Sequence, residues 1–308
     1  MEQTSDLIII GGGAAGLAAA LYASRFKLSV VCIAKEFGGT GNIAHLVDNW
    51  IGDPGITGWD LMQKFVNHVK SYDVPMIMGE VSTIKKNTDT FSVAMQDGTR
   101  YESRTILFAN GMMHRKLGAP GEEQYAGKGV HYCYTCDGPL YKGKVLAVVG
   151  GGDAAAQAAL FLSEYGTKVF LIVRKAEMRA EPITQAKLKD HPKIEILLSS
   201  NVVEISGDEK KVTQLKLDTG KALTVDGLFI EIGHLPLNDL AVKLGVEVNE
   251  HGYIKVNREQ LTNLPGVFAA GDITDVTRLK QFITSASEGS IAAHGIYNYL
   301  QGLQGGYR

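Results

Sequence analysis

Cys133 and Cys136 stand in the run Cys133-Tyr134-Thr135-Cys136-Asp137. Two thiols at that spacing can exchange a disulfide or supply half of a zinc site. His131 is close enough to offer a third metal ligand, but no fourth follows. The remaining cysteine, Cys32, falls in an apolar stretch, where a small buried thiol is ordinary. A redox pair is therefore preferred and no metal is expected. Asp137, directly after the pair, could protonate a departing thiolate when the disulfide is reduced, although Asp-Gly-Pro is also turn chemistry.

The dithiol lies between two glycine-rich fingerprints, Gly11-x-Gly13-x-x-Gly16 and Gly150-x-Gly152-x-x-Ala155. The first follows a strand, Asp6 to Ile10, and opens an alanine-rich helix, Ala14 to Phe26, before the strand from Leu28 to Ile33. The second repeats the pattern with Lys144 to Val149, Ala154 to Tyr165 and Lys168 to Val173. Glycines at these positions let backbone amides at the positive helix end approach a pyrophosphate. Two dinucleotide sites flanking a dithiol imply electrons moving from a nicotinamide, through a flavin, to a disulfide.

An acid near the end of the second strand is expected to meet the adenosine ribose, and Glu36 is the nearest, just past Ala34. In the second unit the returning strand ends at Val173-Arg174-Lys175, with Arg179 one helical turn on. Cations where an NAD site would place an acid favour a 2′-phosphate, hence NADPH over NADH, although a charged loop in water has the same letters. Between the units, Met76 to Met78, Glu80 to Lys86, Phe91 to Met95 and Thr105 to Ala109 alternate like antiparallel strands. Near the end, Gly266 to Asp272 reads as a buried strand leading into a loop and Gln281 to Leu300 as a long helix.

The expected fold is α/β, with two Rossmann-like three-layer domains, the second inserted into the first. Gly111 and the Gly233-His234-Leu235-Pro236 stretch mark the crossings. The boundaries follow as 1–112 plus 236–308 for the first domain and 113–235 for the second. A chain of 308 residues with net charge -2 carries no basic surplus for nucleic acid or an anionic membrane. The N-terminus has no basic n-region, so a cytoplasmic location is expected. No Gly-x-Ser-x-Gly elbow or His-x-x-x-His spacing offers hydrolase or metal chemistry.

Together these letters resemble the low-molecular-weight thioredoxin reductases along nearly the whole chain. The match rests on Ile9 to Gly13, Gly38-Gly39, Asp48-Asn49-Trp50, Cys133 to Gly138, Gly150 to Asp153, Gly233-His234 and Val267 to Asp272. The resemblance implies FAD on the first domain, held by Gly11, Gly13, Ala15, Gly16, Glu36, Gly38, Gly39, Thr40, Asn49, Gly271, Asp272, Lys280 and Gln281. It implies NADPH on the second, at Gly150, Gly152, Asp153, Ala155, Arg174, Lys175 and Arg179. In the implied cycle Cys136 is nearer the flavin, Cys133 attacks the disulfide of thioredoxin or a similar protein, the domains rotate near Gly111 and Gly233, and the enzyme is a homodimer.

Several letters depart from that pattern. Lys175 stands where the family usually has a second Arg, and Asp153-Ala154-Ala155-Ala156-Gln157-Ala158 lacks the usual hydroxyl and glutamates. Thr40 replaces a glutamine and Lys280 an arginine. The C-terminal Tyr307 could cover the flavin, as an aromatic does in some relatives, or belong to a frayed end. These changes keep open a reduced ferredoxin or other non-NADPH donor. A flavin dithiol oxidase and a redox-sensing regulator are further alternatives.

Overall fold

Leu7, Ile8, Ile9 and Ile10 form a run with no polar face, which suits a strand covered on both sides. The first three are fully buried, and each contributes about 1.5–3 kcal/mol relative to an exposed side chain. They lie in the Ser5–Gly12 strand at the middle of a seven-stranded sheet. The computed structural model describes residues 4–44, 47, 49–277 and 279–302 and, of Ile43 and Cys136, the backbone alone. Asp48 and Tyr307 lie outside the described residues.

The chain divides into two units, Met1–Met113 with Leu235–Arg308, and His114–His234. In the first, the sheet runs Met76–Met78, Val30–Phe37, Ser5–Gly12, Arg100–Phe108, Phe91–Met95, Val81–Lys86, with Val267–Ala269 also paired to Arg100–Phe108. The half that carries the first fingerprint is parallel, and the Phe91–Met95 and Val81–Lys86 strands run antiparallel. Met76–Met78 differs from the antiparallel expectation: it lies parallel to Val30–Phe37, with Met76 opposite Cys32. The Gly58–Lys70 helix precedes it, and a helical crossover returns the chain to the same end of a sheet.

The Ala14–Arg25 helix is rich in alanine because it is covered on both sides. Ala15, Ala19, Ala20 and Ala23 are buried, and a Cβ added at Gly289 of the Phe282–Leu300 helix would stand 2.0 Å from the Ala15 carbonyl oxygen. Small residues thus let the two helices meet backbone to backbone. This contact seats the C-terminal helix over the first fingerprint.

The second unit has a five-stranded parallel sheet in the order Ile194–Leu197, Lys168–Ile172, Val145–Val149, Gly227–Ile230, Val130–His131. Its fingerprint helix, Asp153–Tyr165, buries Ala155, Ala156, Ala158 and Ala159. A three-stranded antiparallel sheet, Val202–Gly207, Val212–Leu217 and Ala222–Thr224, completes it. Among the described residues, no helix is long and apolar enough to cross a membrane.

Candidate functional site

The first unit holds a cavity of about 1090 Å³ at the carboxyl end of its parallel strands. Gly13 caps the Ala14–Arg25 helix in an extended conformation and offers no side-chain cap. The first helical N–H groups are therefore available to an anion, with the positive helix end behind them. Gly11, Gly13 and Ala15 line the cavity. Gly16 does not; a Cβ there would stand 1.9 Å from the Gly11 carbonyl oxygen, so its role is to let the turn close.

Glu36, Gly38, Gly39 and Thr40 form a second wall. The Val30–Phe37 strand extends beyond its expected end at Ala34 and includes Glu36. The Glu36 carboxylate accepts from Asn42 Nδ2 at 2.7 Å, which steadies it at the cavity edge. Gly271, Asp272, Lys280 and Gln281 line the opposite side. Gln281 caps the C-terminal helix through a capping box with Thr284. Asn49 does not line the cavity, but its Nδ2 donates to Gln281 Oε1 at 2.8 Å.

Glu288, which belongs to no sequence motif, is buried beneath this wall. Its Oε2 accepts from the Gly271 amide and the Thr274 hydroxyl, each at 2.8 Å. Burial raises its pKa despite those donors. Lys280 Nζ donates to the Thr274 carbonyl at 2.7 Å, and burial lowers its pKa. Ser285 donates to Asp272 Oδ1 at 2.8 Å, so the Gly271-Asp272 turn is held from both ends of the helix's first two turns.

In the second unit Cys133 is held in a disulfide. It immediately precedes a short helix, Tyr134–Asp137, whose last amide donates to the Cys133 carbonyl at 3.1 Å. The Cys136 side chain lies outside the described residues, and its backbone belongs to that helix. Thr135 Oγ1 is 3.4 Å from Cys133 Sγ. Asp137 Oδ2 lies 3.0 Å from His131 Nδ1, and His131 Nε2 lies 2.7 Å from the Tyr141 hydroxyl. Both ring nitrogens are thereby engaged, and no group of three metal-ligating residues occurs among the described residues. Cys32 is free and buried, and burial pushes its thiol up to about 12, so it carries no thiolate chemistry.

The second fingerprint repeats the open helix start. Gly152 caps the Asp153–Tyr165 helix without a side-chain cap. Arg174, Lys175 and Arg179 are exposed, and the Arg179 amide donates to the Gly151 carbonyl at 2.6 Å. The Glu181 amide donates to Asp153 Oδ1 at 2.7 Å. Those two bonds lace the basic loop to the turn that contains Gly150 and Gly152. Ala155 is buried under that turn, whereas Ala154 and Gln157 face solvent. No carboxylate replaces the basic pair directly after Val173.

Residues 5–289 match the model of the pyridine nucleotide-disulphide oxidoreductases. The chain belongs to that family. A thioredoxin reductase of Listeria innocua is 37% identical over 310 residues, 98% of this chain and 96% of its own length. The solved thioredoxin reductase of Lactococcus lactis superposes with a TM-score of 0.83 at 32% identity, covering 97% of this chain and 100% of that one. A ferredoxin-flavin thioredoxin reductase from Clostridium acetobutylicum gives a TM-score of 0.51 at 33% identity, over 97% and 99%.

For a family member the first cavity must accept an extended dinucleotide, and three features fit one. Asn110 Oδ1 is buried at the cavity wall with no hydrogen-bond partner among the described residues, so it is available to a donor on a ligand. A Cβ at Gly13 would meet nothing, so the backbone there faces open space. The volume, about 1090 Å³, lies just above the roughly 300–1,000 Å³ of ordinary ligand pockets, as an extended dinucleotide requires. Asn110 was also passed over in the sequence; its place directly after a buried strand and before Gly111 is the signal that marks it.

Glu231 follows the Gly227–Ile230 strand, and burial pushes its carboxyl up to about 8. Its contribution to stability is full below about 4.5 and is lost as pH rises through about 8. Glu231→Gln is therefore expected to raise the melting temperature at pH 9 while leaving it equal or lower at pH 5. An equal change at both pH values in thermal melts would contradict the burial argument.

Proposed function

We propose that this oxidoreductase is an FAD-dependent disulfide reductase that passes electrons from NADPH to thioredoxin or a similar small dithiol protein through Cys133 and Cys136. The disulfide at Cys133, directly before the Asp137-bearing turn of a family member, carries the reading. The domain around residues 1–112 and 236–308 is the FAD domain, and 113–235 is the NADPH domain bearing the dithiol. FAD supplies an acceptor for hydride and a donor of electron pairs to a disulfide.

The chain's own residues do the rest. The Ala14–Arg25 amides and Gly13 receive the pyrophosphate, Glu36 meets the adenosine ribose, and Asp272, held by Ser285, orients the ribityl end. Cys133 is the interchange thiol and Asp137 the proton donor. Arg174, Lys175 and Arg179 meet the 2′-phosphate; Lys175 does so as a point charge without the bidentate fork. A cytoplasmic location and a homodimer complete the reading.

The double variant Arg174→Ala/Lys175→Ala is expected to raise KM for NADPH by about 10²-fold, taking about 1.4 kcal/mol or more for each charged contact, with a smaller change in kcat. Steady-state kinetics at two salt concentrations check it; an unchanged KM would sink the 2′-phosphate assignment. A ferredoxin donor is the second reading, favoured by the alanines at 154, 156 and 158 of the second fingerprint helix. Anaerobic titration of the flavin absorbance with NADPH, NADH and photoreduced ferredoxin separates the two. Bleaching by ferredoxin and not by NADPH would overturn the donor.

A further inference from the structure

His131 ends a strand, Val130–His131, that pairs with Gly227–Ile230. Its ring is 9% exposed and stacks on Phe229, with centroids 5.3 Å apart and planes at 26°. The ring is thus fixed in plane and height, with Nδ1 on Asp137 and Nε2 on Tyr141. A carboxylate, an imidazole and a phenol in line form a chain with a proton-accepting group at each joint. Asp137 is one residue past Cys136 and four past Cys133, and its side chain is 32% exposed.

The phenol serves either charge state of the ring. It donates to Nε2 of the neutral imidazole, which puts the ring proton on Nδ1 toward Asp137, and accepts from Nε2–H of the imidazolium. Burial first, then the charges of Asp137 and Asp226, push the Tyr141 hydroxyl up to about 12, so it keeps its proton throughout. Among the described residues, the charged and titratable groups facing the ring include Asp137, Tyr141 and, beyond Tyr141, Asp226, which pairs with Lys211 at 3.0 Å.

We propose that His131 is a positioning residue for Asp137 and the reservoir of the proton that dithiol formation consumes. The idea rests on the disulfide-reductase reading above. The electron pair comes from the reduced flavin named there, whose own proton leaves to solvent, and the S–S bond breaks. The released sulfur takes a proton from Asp137, Asp137 takes one from His131, and His131 is recharged from solvent only once the dithiol has been reoxidised. One sulfur leaves as thiol and the other as thiolate, so charge balances. A lone carboxyl would be refilled directly from solvent; Asp137, 3.0 Å from the ring, is refilled by the imidazole within the same reduction.

His131→Gln is expected to lower kcat with oxidised thioredoxin by about 10²-fold, the lower end of general acid effects, with KM within about twofold. Its activity should climb as pH falls, because Asp137 must then take its proton from water. Tyr141→Phe should shift the profile in the same direction by less. Unchanged kcat and pH profile, or an equal loss at every pH, would overturn the proposal in favour of a packing role. A second readout needs neither variant nor donor: nitrogen NMR of the His131 ring in the holoenzyme before and after reduction by dithiothreitol. The ring nitrogens should change protonation between the two redox states, and identical spectra would overturn the proposal. Wild-type enzyme that reduces no disulfide protein, yet shows the NMR change, would instead sink the function proposed above.

Discussion

Cys133→Ser is expected to abolish turnover with thioredoxin, by at least about 10³-fold, while leaving flavin reduction by the donor intact. The attacking species in exchange is a thiolate, and a serine hydroxyl neither ionises near neutral pH nor forms a disulfide. Losses of this size are typical when a covalent nucleophile is removed. In the proposed function donor oxidation uses the second fingerprint, Gly150 to Ala155, and Cys133 is not part of it. Stopped-flow flavin absorbance and a thioredoxin reduction assay measure the two halves separately. Turnover above about a tenth of wild type would refute the interchange role of Cys133.

Gly11→Ala should cost the protein its flavin and much of its stability. Gly11 has φ +117°, and an added Cβ would stand 2.2 Å from the Ala109 carbonyl oxygen and 2.8 Å from the Asn110 amide nitrogen. Those atoms cannot retreat easily, because the Ala109 amide donates to the Ile10 carbonyl at 2.8 Å across the same pair of strands. The backbone conformation costs about 1–3 kcal/mol in a residue with a side chain, and overpacking adds about 1–3 kcal/mol. Against a total stability of about 5–15 kcal/mol, the melting temperature should fall by roughly 10 °C and purified protein should be colourless.

Gly13→Ala is the matched control. Its Cβ would meet nothing, and Gly13 has φ −79°, so stability without cofactor should stay near wild type and only flavin affinity should drop. Equal melting temperatures for the two variants would show that the steric wall behind Gly11 is not what requires glycine.

Much of the candidate site was legible because its signals are local. The two fingerprints declare themselves through glycines at fixed offsets between a strand and a helix, and Cys133, Cys136 and Asp137 sit within five consecutive residues. Asn110 and Glu288 were not legible in the same way. Asn110 matters because the Arg100–Phe108 strand carries it beside Gly11, and Glu288 because its helix returns it beneath Gly271, seventeen positions back. The parallel sense of Met76–Met78 was missed for a related reason: alternation reports which face a residue takes, while strand direction depends on the helix that crosses between.

The amino-acid order alone determined the chemistry on offer: a dithiol with a neighbouring acid, two phosphate-ready turns, and a basic pair where a ribose-binding acid would stand. Those are properties of residue type and short spacing, which survive in an unfolded chain. Tertiary structure alone decided what surrounds each group. It gave His131 its partners, since Asp137 and Tyr141 reach the ring only after Val130–His131 pairs with Gly227–Ile230 and Phe229 fixes the ring plane. It also engaged both nitrogens of His131, because burial leaves a polar atom no choice but to find a partner.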